Sequence, residues 1–218
     1  MTAPHPLAKA LQDGLRQLRL DLSEAQRETL LAYLDWVAKW NRVYNLTAVR
    51  EPAEMLTHHL LDSLAVVLPL RRHLAQAGLA EARLLDVGAG AGLPGVVVAV
   101  ACPNVAVTCV DTVAKKALFV QQVAAALRLP NLHGLHARVE TLSGPYDVVT
   151  SRAFASLSDF ATWSGAALAP QGVWMAMKGK LPEPEIAALP PEVRVFHVEP
   201  LTVPGLGAER CLVWMRRG

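Results

Sequence analysis

The sequence predicts an α/β fold: a mostly parallel, seven-stranded sheet with an antiparallel C-terminal strand and an N-terminal helical extension. Three observations predict it. Apolar residues recur at helical spacing through the first 70 residues, and short strand-like runs then alternate with helical ones from Arg83 onward. Two strand-like runs with no helix between them end the chain. Alternation of this kind is typical of a parallel sheet with helices on both faces.

The N-terminal extension, residues 1–75, is expected to pack on the α/β unit, residues 76–218, in one compact body. Ser23-Glu-Ala-Gln26 is a capping-box pattern, so a helix begins there and continues to Trp40. Pro52 opens a second helix, and Pro69 is predicted to end it.

The α/β unit has its strands and helices in alternation. Strands are predicted at 83–88, 105–111, 132–136, 146–151, 172–178, 193–198 and 211–215. Helices are predicted at 94–102, 114–128 and 157–168. The last two strands are joined by a short loop, Leu-Thr-Val-Pro-Gly-Leu-Gly, which fits an antiparallel pair and not a crossover. A mostly parallel sheet that ends in this way is the layout of the Rossmann-like class I methyltransferases.

The composition excludes several classes of protein. Hydrophobic residues make up 52% of the 218 residues, which argues against disorder. The three cysteines form no CxxC pair, so neither a disulfide framework nor a metal site is indicated. Neither a signal peptide nor an apolar run of about 20 residues is seen, so no membrane association and a cytoplasmic location are expected. The net charge of +2 decides little, and a monomer is expected because nothing demands a partner chain.

A glycine loop follows the first strand of the α/β unit. Gly88, Gly90, Gly92 and Gly95 carry no Cβ, so they can take positive φ and let a ligand approach the backbone. Their spacing matches the dinucleotide fingerprint G-x-G-x-x-G, which predicts a nucleotide-like cofactor.

Two features favour S-adenosylmethionine over NAD as that cofactor. Asp86 lies two residues before the first glycine, where a carboxylate would attract an amino group or a sulfonium and repel a pyrophosphate. No second βαβαβ half follows residue 151 to hold a nicotinamide nucleotide. Asp111 ends the second strand, where an acid can accept both ribose hydroxyls; its alternative role is to cap the helix that starts near Ala114, and both roles can hold together.

Two further segments lie at the predicted carboxyl edge of the sheet. Val139 and Glu140 follow the third strand and are expected beside an adenine ring, the alternative being a solvated turn. Arg152 and Phe154 follow the fourth strand. Arg152 can hold a base oxygen or a phosphate, or can lie against the cofactor carboxylate, and the sequence leaves this open.

Five motifs of this chain resemble one family. They are Trp40-Asn-Arg-Val-Tyr-Asn-Leu-Thr47, His59-Leu-Leu-Asp-Ser63, Asp86-Val-Gly-Ala-Gly-Ala-Gly-Leu-Pro-Gly95, Ser151-Arg-Ala-Phe-Ala-Ser-Leu157 and Met177-Lys-Gly179. The resemblance, over about residues 20–215, is to the bacterial ribosomal RNA small subunit methyltransferase G family, also called glucose-inhibited division protein B. It implies methyl transfer from S-adenosylmethionine to N7 of one guanine in 16S rRNA. It also implies that the cofactor contacts Gly88, Leu93, Val139, Glu140 and Arg152, with its ribose on Asp111.

Such a reaction agrees with the absence of an obvious catalytic dyad. Guanine N7 presents a free lone pair and carries no proton, so in-line displacement there requires no general base. Positioning can supply about 7–11 kcal/mol where alignment is good. Arg152 is the one residue assigned to the chemical step, in a positioning role.

An RNA substrate, either 16S rRNA or the small ribosomal subunit, requires contacts to bases and phosphates. The candidates are Arg42, Tyr44, Arg50, Phe154 and Lys178, although a single basic residue is more often a solvated charge. Trp40 is interpreted as a core residue. His58, His59 and Asp62 are interpreted as a structural cap over the cofactor pocket and not as a metal site.

Three alternatives remain open. A small-molecule methyltransferase would use the N-terminal helices as a lid, and the basic character of the cleft rim would distinguish it from an RNA enzyme. A non-catalytic binding protein is disfavoured by the intact glycines and by Asp86 and Asp111. A dehydrogenase is disfavoured by Asp86 and by the antiparallel end of the sheet.

Overall fold

A seven-stranded sheet forms the centre of the molecule, as seen in a computed structural model that describes residues 4–154 and 156–218. The strands are β1 (Ala82–Val87), β2 (Val105–Asp111), β3 (Leu132–His136), β4 (Tyr146–Arg152), β5 (Leu168–Lys178), β6 (Val193–Pro200) and β7 (Cys211–Arg217). Their order across the sheet is β3-β2-β1-β4-β5-β7-β6.

The strand directions confirm the predicted fold. β1 lies between β2 and β4 and is parallel to both, so that Leu84 pairs with Val107 on one side and Val148 on the other. β7 is antiparallel to both β5 and β6. The carboxyl ends of the first five strands therefore share one edge of the sheet, and that edge is where ligands bind in such folds.

Helices cover both faces of the sheet. They are α1 (Ala8–Gln17), α2 (Glu24–Tyr44), α3 (Pro52–Met55), α4 (Asp62–Leu64), α5 (Val67–Gln76), α6 (Gly95–Ala101), α7 (Ala114–Ala126), α8 (Leu157–Ser164) and α9 (Glu183–Ala187). Helix α9 was not among the predicted elements. The part of the chain that the structure describes contains no helix long and apolar enough to cross a membrane.

Alternate residues of the central strands enter two hydrophobic clusters on opposite faces of the sheet. Leu84 belongs to the cluster that also holds the N-terminal helices, α6 and α7. Its neighbour Leu85 belongs to the second cluster, which includes Leu157 and Phe160 of α8. The N-terminal extension thus shares one continuous core with the sheet.

The start of helix α2 confirms the predicted capping box. The Ser23 hydroxyl accepts from the Gln26 backbone N–H, and the Gln26 side-chain oxygen accepts from the Ser23 N–H. The Gln26 amide also donates to the Val100 carbonyl at 2.8 Å, which ties the helix to the end of α6.

The prediction that Pro69 ends the second helix is wrong. Helix α5 contains Pro69 as its third residue and continues to Gln76. A proline is tolerated there because the first-turn N–H groups have no partner within the helix. The helical segment from Pro52 is instead interrupted by a π-helical stretch, Leu56–Leu61, placed before Asp62.

The boundary between α8 and β5 also differs from the prediction. Helix α8 ends at Ser164, a 3₁₀ turn spans Gly165–Ala167, and β5 begins at Leu168. The predicted helix end at 168 and strand start at 172 are therefore both late. The Ser164 hydroxyl accepts from the Trp174 indole N–H at 2.9 Å. Residue preferences for helix and strand ends do not predict this contact between a helix and a strand.

Candidate active site

The glycine loop joins β1 to α6 at the carboxyl edge of the sheet. Gly88, Gly90 and Gly92 have φ of 66°, 59° and 86°, which confirms the expected left-handed backbone. Gly95 does not share it. A Cβ on Gly95 would lie 2.8 Å from the Asp86 carboxylate and would also clash with Cys109, so this glycine is needed for close packing.

Asp86 is fully buried beneath the loop. Its Oδ2 accepts a 2.7 Å hydrogen bond from the Gly95 N–H, while its Oδ1 has no partner within residues 4–154 and 156–218. Burial raises the pKa of Asp86 from its ordinary value of 3.8 to about 7, and the Gly95 N–H offsets part of that rise. An orphaned buried acceptor next to a glycine loop is a feature that a cationic ligand group would satisfy.

The loop has a support that the sequence analysis did not find. The Tyr33 hydroxyl of α2 donates a 2.7 Å hydrogen bond to the Ala91 carbonyl. Tyr33 is completely buried, and burial raises the pKa of its phenol well above the usual value. A tyrosine in an otherwise apolar helical stripe is the signal that was available, because a buried phenol requires a partner.

Asp111, at the end of β2, is held by two backbone donors. Its Oδ2 accepts from the Gly90 N–H at 3.0 Å, and its Oδ1 accepts from the Val113 N–H at 2.9 Å. The second contact lies in the turn before α7, but it does not cap that helix, whose N-cap is Val113 without a side-chain hydrogen bond. The alternative role considered for Asp111, as the cap of this helix, is therefore wrong. Each carboxylate oxygen retains another lone pair for a ligand hydroxyl.

A cavity of about 310 Å³ opens between the ends of β1, β2 and β3; we call it the strand-end cavity. Its walls comprise Val87, Gly88, Val110, Asp111, Thr112, Ala137, Arg138, Val139, Glu140, Phe154 and Trp163. Five predicted site residues lie among them. Of the other residues predicted to contact the cofactor, Asp86, Gly90, Gly92, Leu93 and Gly95 form the loop or lie beneath it, and Arg152 does not line this cavity.

Val139 and Glu140 enter this cavity from a 3₁₀ turn after β3. Val139 is buried, whereas Glu140 is exposed. A hydrogen bond from its own backbone N–H, and then one from Arg138, lower the pKa of Glu140. The turn thus offers an apolar surface next to an ionised carboxylate.

Phe154 lies in the wall of the strand-end cavity. Its ring packs edge-on against Trp163, with centroids 5.6 Å apart, and against Phe160 at 5.7 Å. Phe154 was predicted as a candidate for RNA stacking, and the structure places it beside Gly88 and Asp111.

A second cavity, of about 360 Å³, lies on the other side of the same strand end; we call it the arginine cavity. It is lined by His58, His59, Asp62, Arg152, Ala153, Met177, Lys178, Gly179 and Arg210. Three consecutive residues connect the two cavities: Arg152 faces the second, Phe154 faces the first, and Ala153 lies between them with a φ of 59°. Positive φ in a residue other than glycine is uncommon and recurs at functional sites.

Asp62 is the buried anion of the arginine cavity, with 4% of its side chain exposed. Its Oδ2 accepts from the Arg152 guanidinium at 3.1 Å, and its Oδ1 accepts from Arg210 Nε at 2.9 Å. Arg152 also donates to the His58 carbonyl at 2.8 Å. The sequence analysis did not find the Asp62–Arg210 pair.

His58 and His59, interpreted from the sequence as part of a structural cap, line the arginine cavity together with Asp62. His59 Nε2 lies 2.9 Å from the Thr47 hydroxyl, and burial, followed by the charge of Arg152, lowers the pKa of His59 to about 4. Within the described ranges no group of three or more His, Cys, Asp or Glu side chains could hold a metal ion.

The remaining RNA-contact candidates fall into two places. Lys178 lines the arginine cavity, where its ammonium is 2.7 Å from the Glu185 carboxylate. Arg42, Tyr44 and Arg50 lie at the end of α2 and in the segment that follows, all exposed. Trp40 is partly buried and packs on Phe119 at 5.3 Å, which confirms its interpretation as a core residue.

The chain is similar in sequence to one family over most of its length. Residues 26–213 match the family model of GidB, rRNA small subunit methyltransferase G. A ribosomal RNA small subunit methyltransferase G of Acidovorax sp. (strain JS42) is 68% identical over 212 residues, covering 95% of this chain and 94% of the relative.

Solved structures resemble the chain in fold. A SAM dependent methyltransferase from Aquifex aeolicus has a TM-score of 0.52 at 17% identity, covering 76% of this chain and 97% of that one. TrmN from Thermus thermophilus has a TM-score of 0.53 at 19% identity over 68% of this chain, which spans about half (48%) of that structure. At such identities the likeness shows the fold alone.

Proposed function

We infer that this chain, which belongs to the rRNA small subunit methyltransferase G family, methylates N7 of one guanine in 16S rRNA. The methyl donor is S-adenosylmethionine. When bound, this cofactor supplies a methyl group that its sulfonium has activated for displacement. The chain's own residues bind, orient and exclude water.

One observation carries the proposal: two cavities of different character adjoin at the carboxyl edge of the sheet. The strand-end cavity offers backbone at Gly88 and a carboxylate at Asp111, whereas the arginine cavity offers guanidinium groups. A cationic cofactor suits the first, and an anionic polymer suits the second. Residues 152–154 bring the two within one strand end.

The residues of the strand-end cavity, together with Asp86 beneath the glycine loop, fit S-adenosylmethionine. The orphaned Oδ1 of Asp86 would take the cationic end of the ligand, and Asp111 would accept from the ribose hydroxyls. Val139 would contact the adenine ring, with Glu140 at its polar edge. Gly88, whose φ is 66°, leaves the backbone open to close approach.

The chemistry demands little of side chains beyond positioning. Guanine N7 has no proton to remove, so no residue acts as a general base. The guanine gains positive charge as it accepts the methyl group, so a cation at N7 would oppose the reaction. Arg152 therefore serves best as a positioning residue whose guanidinium meets an anion or the O6 oxygen and not N7.

The alternative reading, a small-molecule methyltransferase with the N-terminal helices as its lid, receives less support. A lid must move apart from the site, yet α2 is embedded in the sheet's core through Leu30, Tyr33 and Leu34. The exposed cations Arg42 and Arg50 suit a large polyanionic substrate better. We also propose that the enzyme works in the cytoplasm as a monomer on 16S rRNA or the small subunit.

Transfer of labelled methyl groups tests the proposal. Small ribosomal subunits from a strain that lacks the modification are incubated with labelled S-adenosylmethionine and wild type, Asp86→Ala or Asp35→Asn. Asp35 is the control, since its side chain is 68% exposed. We expect 7-methylguanine in 16S rRNA with wild type and Asp35→Asn, and none with Asp86→Ala. Unlabelled RNA despite bound S-adenosylmethionine would favour the small-molecule reading.

A further inference from the structure

The arginine cavity is built around one shared carboxylate. Asp62 comes directly after the π-helical stretch, Arg152 from the end of β4, and Arg210 from just before β7. The two guanidiniums bond to different oxygens of Asp62, at 3.1 and 2.9 Å. Segments 90 and 148 residues away from Asp62 thereby converge on one point.

The charge of this cavity remains positive after its own ion pairs are counted. Its cations are Arg152, Arg210 and Lys178; its anions are Asp62 and, paired with Lys178, Glu185. Three positive charges against two negative ones leave one cation in excess, and each arginine has N–H donors that Asp62 does not occupy. The cavity therefore suits an anionic group.

We propose that Asp62 is a positioning residue that holds Arg152 and Arg210 together as a binding site for one phosphate of the substrate RNA. The inference rests on the proposed function and names what the arginine cavity binds. A guanidinium presents its donors in a planar fork that matches phosphate oxygens, provided that the fork is held in one orientation. Asp62 supplies that orientation for both.

A phosphate fits better than the guanine base. Positive charge develops on the base during methyl transfer, so two guanidiniums on it would be unfavourable. A phosphate carries a permanent negative charge and offers two free oxygens. Binding it in the arginine cavity would place the neighbouring nucleotide near the strand-end cavity, because Arg152 and Phe154 belong to the same turn.

The test uses Asp62→Asn, whose expected effect is opposite to that of charge alone. Removing a negative charge from a phosphate site would by itself tighten RNA binding. Loss of positioning predicts the reverse: KM for small subunits rises about tenfold, a change of about 1.4 kcal/mol. We expect kcat and the Kd of S-adenosylmethionine to stay within about twofold of wild type.

Glu199→Gln is the matched control. Glu199 also holds one donor on each oxygen, Arg72 at 2.6 Å and the Trp214 indole at 2.9 Å, but it lies outside the arginine cavity. The substitution Glu199→Gln removes the same charge as Asp62→Asn, but the KM for small subunits should not change. Filter binding of 16S rRNA fragments at increasing salt then identifies the partner, since each lost phosphate contact in a single strand lowers the slope by about 0.7.

Two results would overturn the proposal. If the KM of Asp62→Asn for small subunits is unchanged or lower, Asp62 does not position the two arginines for RNA binding. If RNA binding weakens but its salt slope is unchanged, the arginines contact a base and not a phosphate. Arg210→Gln is the second variant if Asp62→Asn does not fold, with the same expected loss of affinity and slope. The proposed function is judged separately, by 7-methylguanine formation with wild type.

Discussion

The Tyr33 hydroxyl donates a 2.7 Å hydrogen bond to the Ala91 carbonyl, so a helix of the N-terminal extension holds the glycine loop from below. The two residues are 58 positions apart, and both are buried. The loop's shape depends on backbone hydrogen bonds that must all be satisfied. The extension therefore supports the backbone of the glycine loop directly.

We expect Tyr33→Phe to lower the free energy of unfolding and to weaken cofactor binding together. The buried Ala91 carbonyl would lose its donor, which costs about 1–3 kcal/mol. Urea denaturation and titration calorimetry with S-adenosylmethionine measure the two effects. Tyr44→Phe is the control, since 40% of Tyr44 is exposed. If Tyr33→Phe is destabilised but its Kd for S-adenosylmethionine is unchanged, the contact from the extension does not influence cofactor binding.

The effect of a methyl group at Gly95 is expected to differ sharply from its effect at Gly165. A Cβ at Gly95 would collide with Asp86 and Cys109, whereas a Cβ at Gly165 meets nothing within 4 Å. Gly95→Ala should destabilise the fold by about 1–3 kcal/mol, the usual cost of overpacking. Gly165→Ala should be neutral or slightly stabilising. Thermal unfolding of both variants checks this, and equal melting temperatures would contradict it.

The sequence predicts the parts of this molecule that local chemistry decides. The capping box at Ser23, the left-handed glycines and the place of Asp111 at a strand end follow from residue type and short spacing. The parallel direction of the first five strands also follows, because strands that alternate with helices are typical of a parallel sheet. Each of these inferences requires only residues that are near one another in the chain.

Contacts between distant segments were beyond reach of the same reasoning. Asp62 and Arg210 are 148 residues apart, and nothing near either residue indicates the other. The prediction that Pro69 ends a helix was wrong because a proline after a helix and a proline in the first turn of the next helix give the same sequence signal. The contact between Phe154 and Trp163 was likewise not predicted, because the two residues lie on different elements whose packing only the fold defines.

Asp111→Ala should reduce the affinity for S-adenosylmethionine by tenfold or more, which corresponds to about 1.4 kcal/mol per tenfold. The change removes the acceptor for ribose hydroxyls and also frees the N–H groups of Gly90 and Val113. Calorimetric titration with S-adenosylmethionine and S-adenosylhomocysteine measures the loss. The affinities for both ligands should fall by the same factor, because both ligands contain the ribose. Asp147→Ala is the control: its carboxylate accepts only from the exposed Arg83 N–H among the contacts described here.

The stability of the protein without cofactor should fall as the pH rises toward neutrality. Burial raises the pKa of Asp86 from 3.8 to about 7 in the folded state. The folded protein therefore holds this proton more tightly than the unfolded chain does. That stabilisation is complete below about pH 4 and is lost as the pH rises through about 7, on the order of 1 kcal/mol per pH unit.

Asp86→Asn isolates this contribution, since the amide does not titrate. Urea denaturation between pH 5 and 8 should show a wild-type stability that declines relative to the variant. Parallel curves for the two proteins would mean that Asp86 is ionised throughout this range.

The binding of S-adenosylmethionine should release protons near pH 6, because a cationic ligand group favours the ionised carboxylate of Asp86. Calorimetry in buffers of different ionisation enthalpy measures this release.

Arg50→Ala tests whether the segment after α2 meets RNA. Arg50 and Arg42 are both exposed, so we expect the fold to tolerate the loss of either side chain. If Arg50 meets a phosphate, its loss weakens binding to all sequences alike and lowers the salt slope by about 0.7 for a single strand. Arg194→Ala is the control, because Arg194 pairs with Arg216 on β6 and β7, away from the strand end at Cys211. If Arg50→Ala and Arg194→Ala have equal salt slopes, Arg50 does not contact a phosphate, and the arginine cavity remains the main phosphate contact.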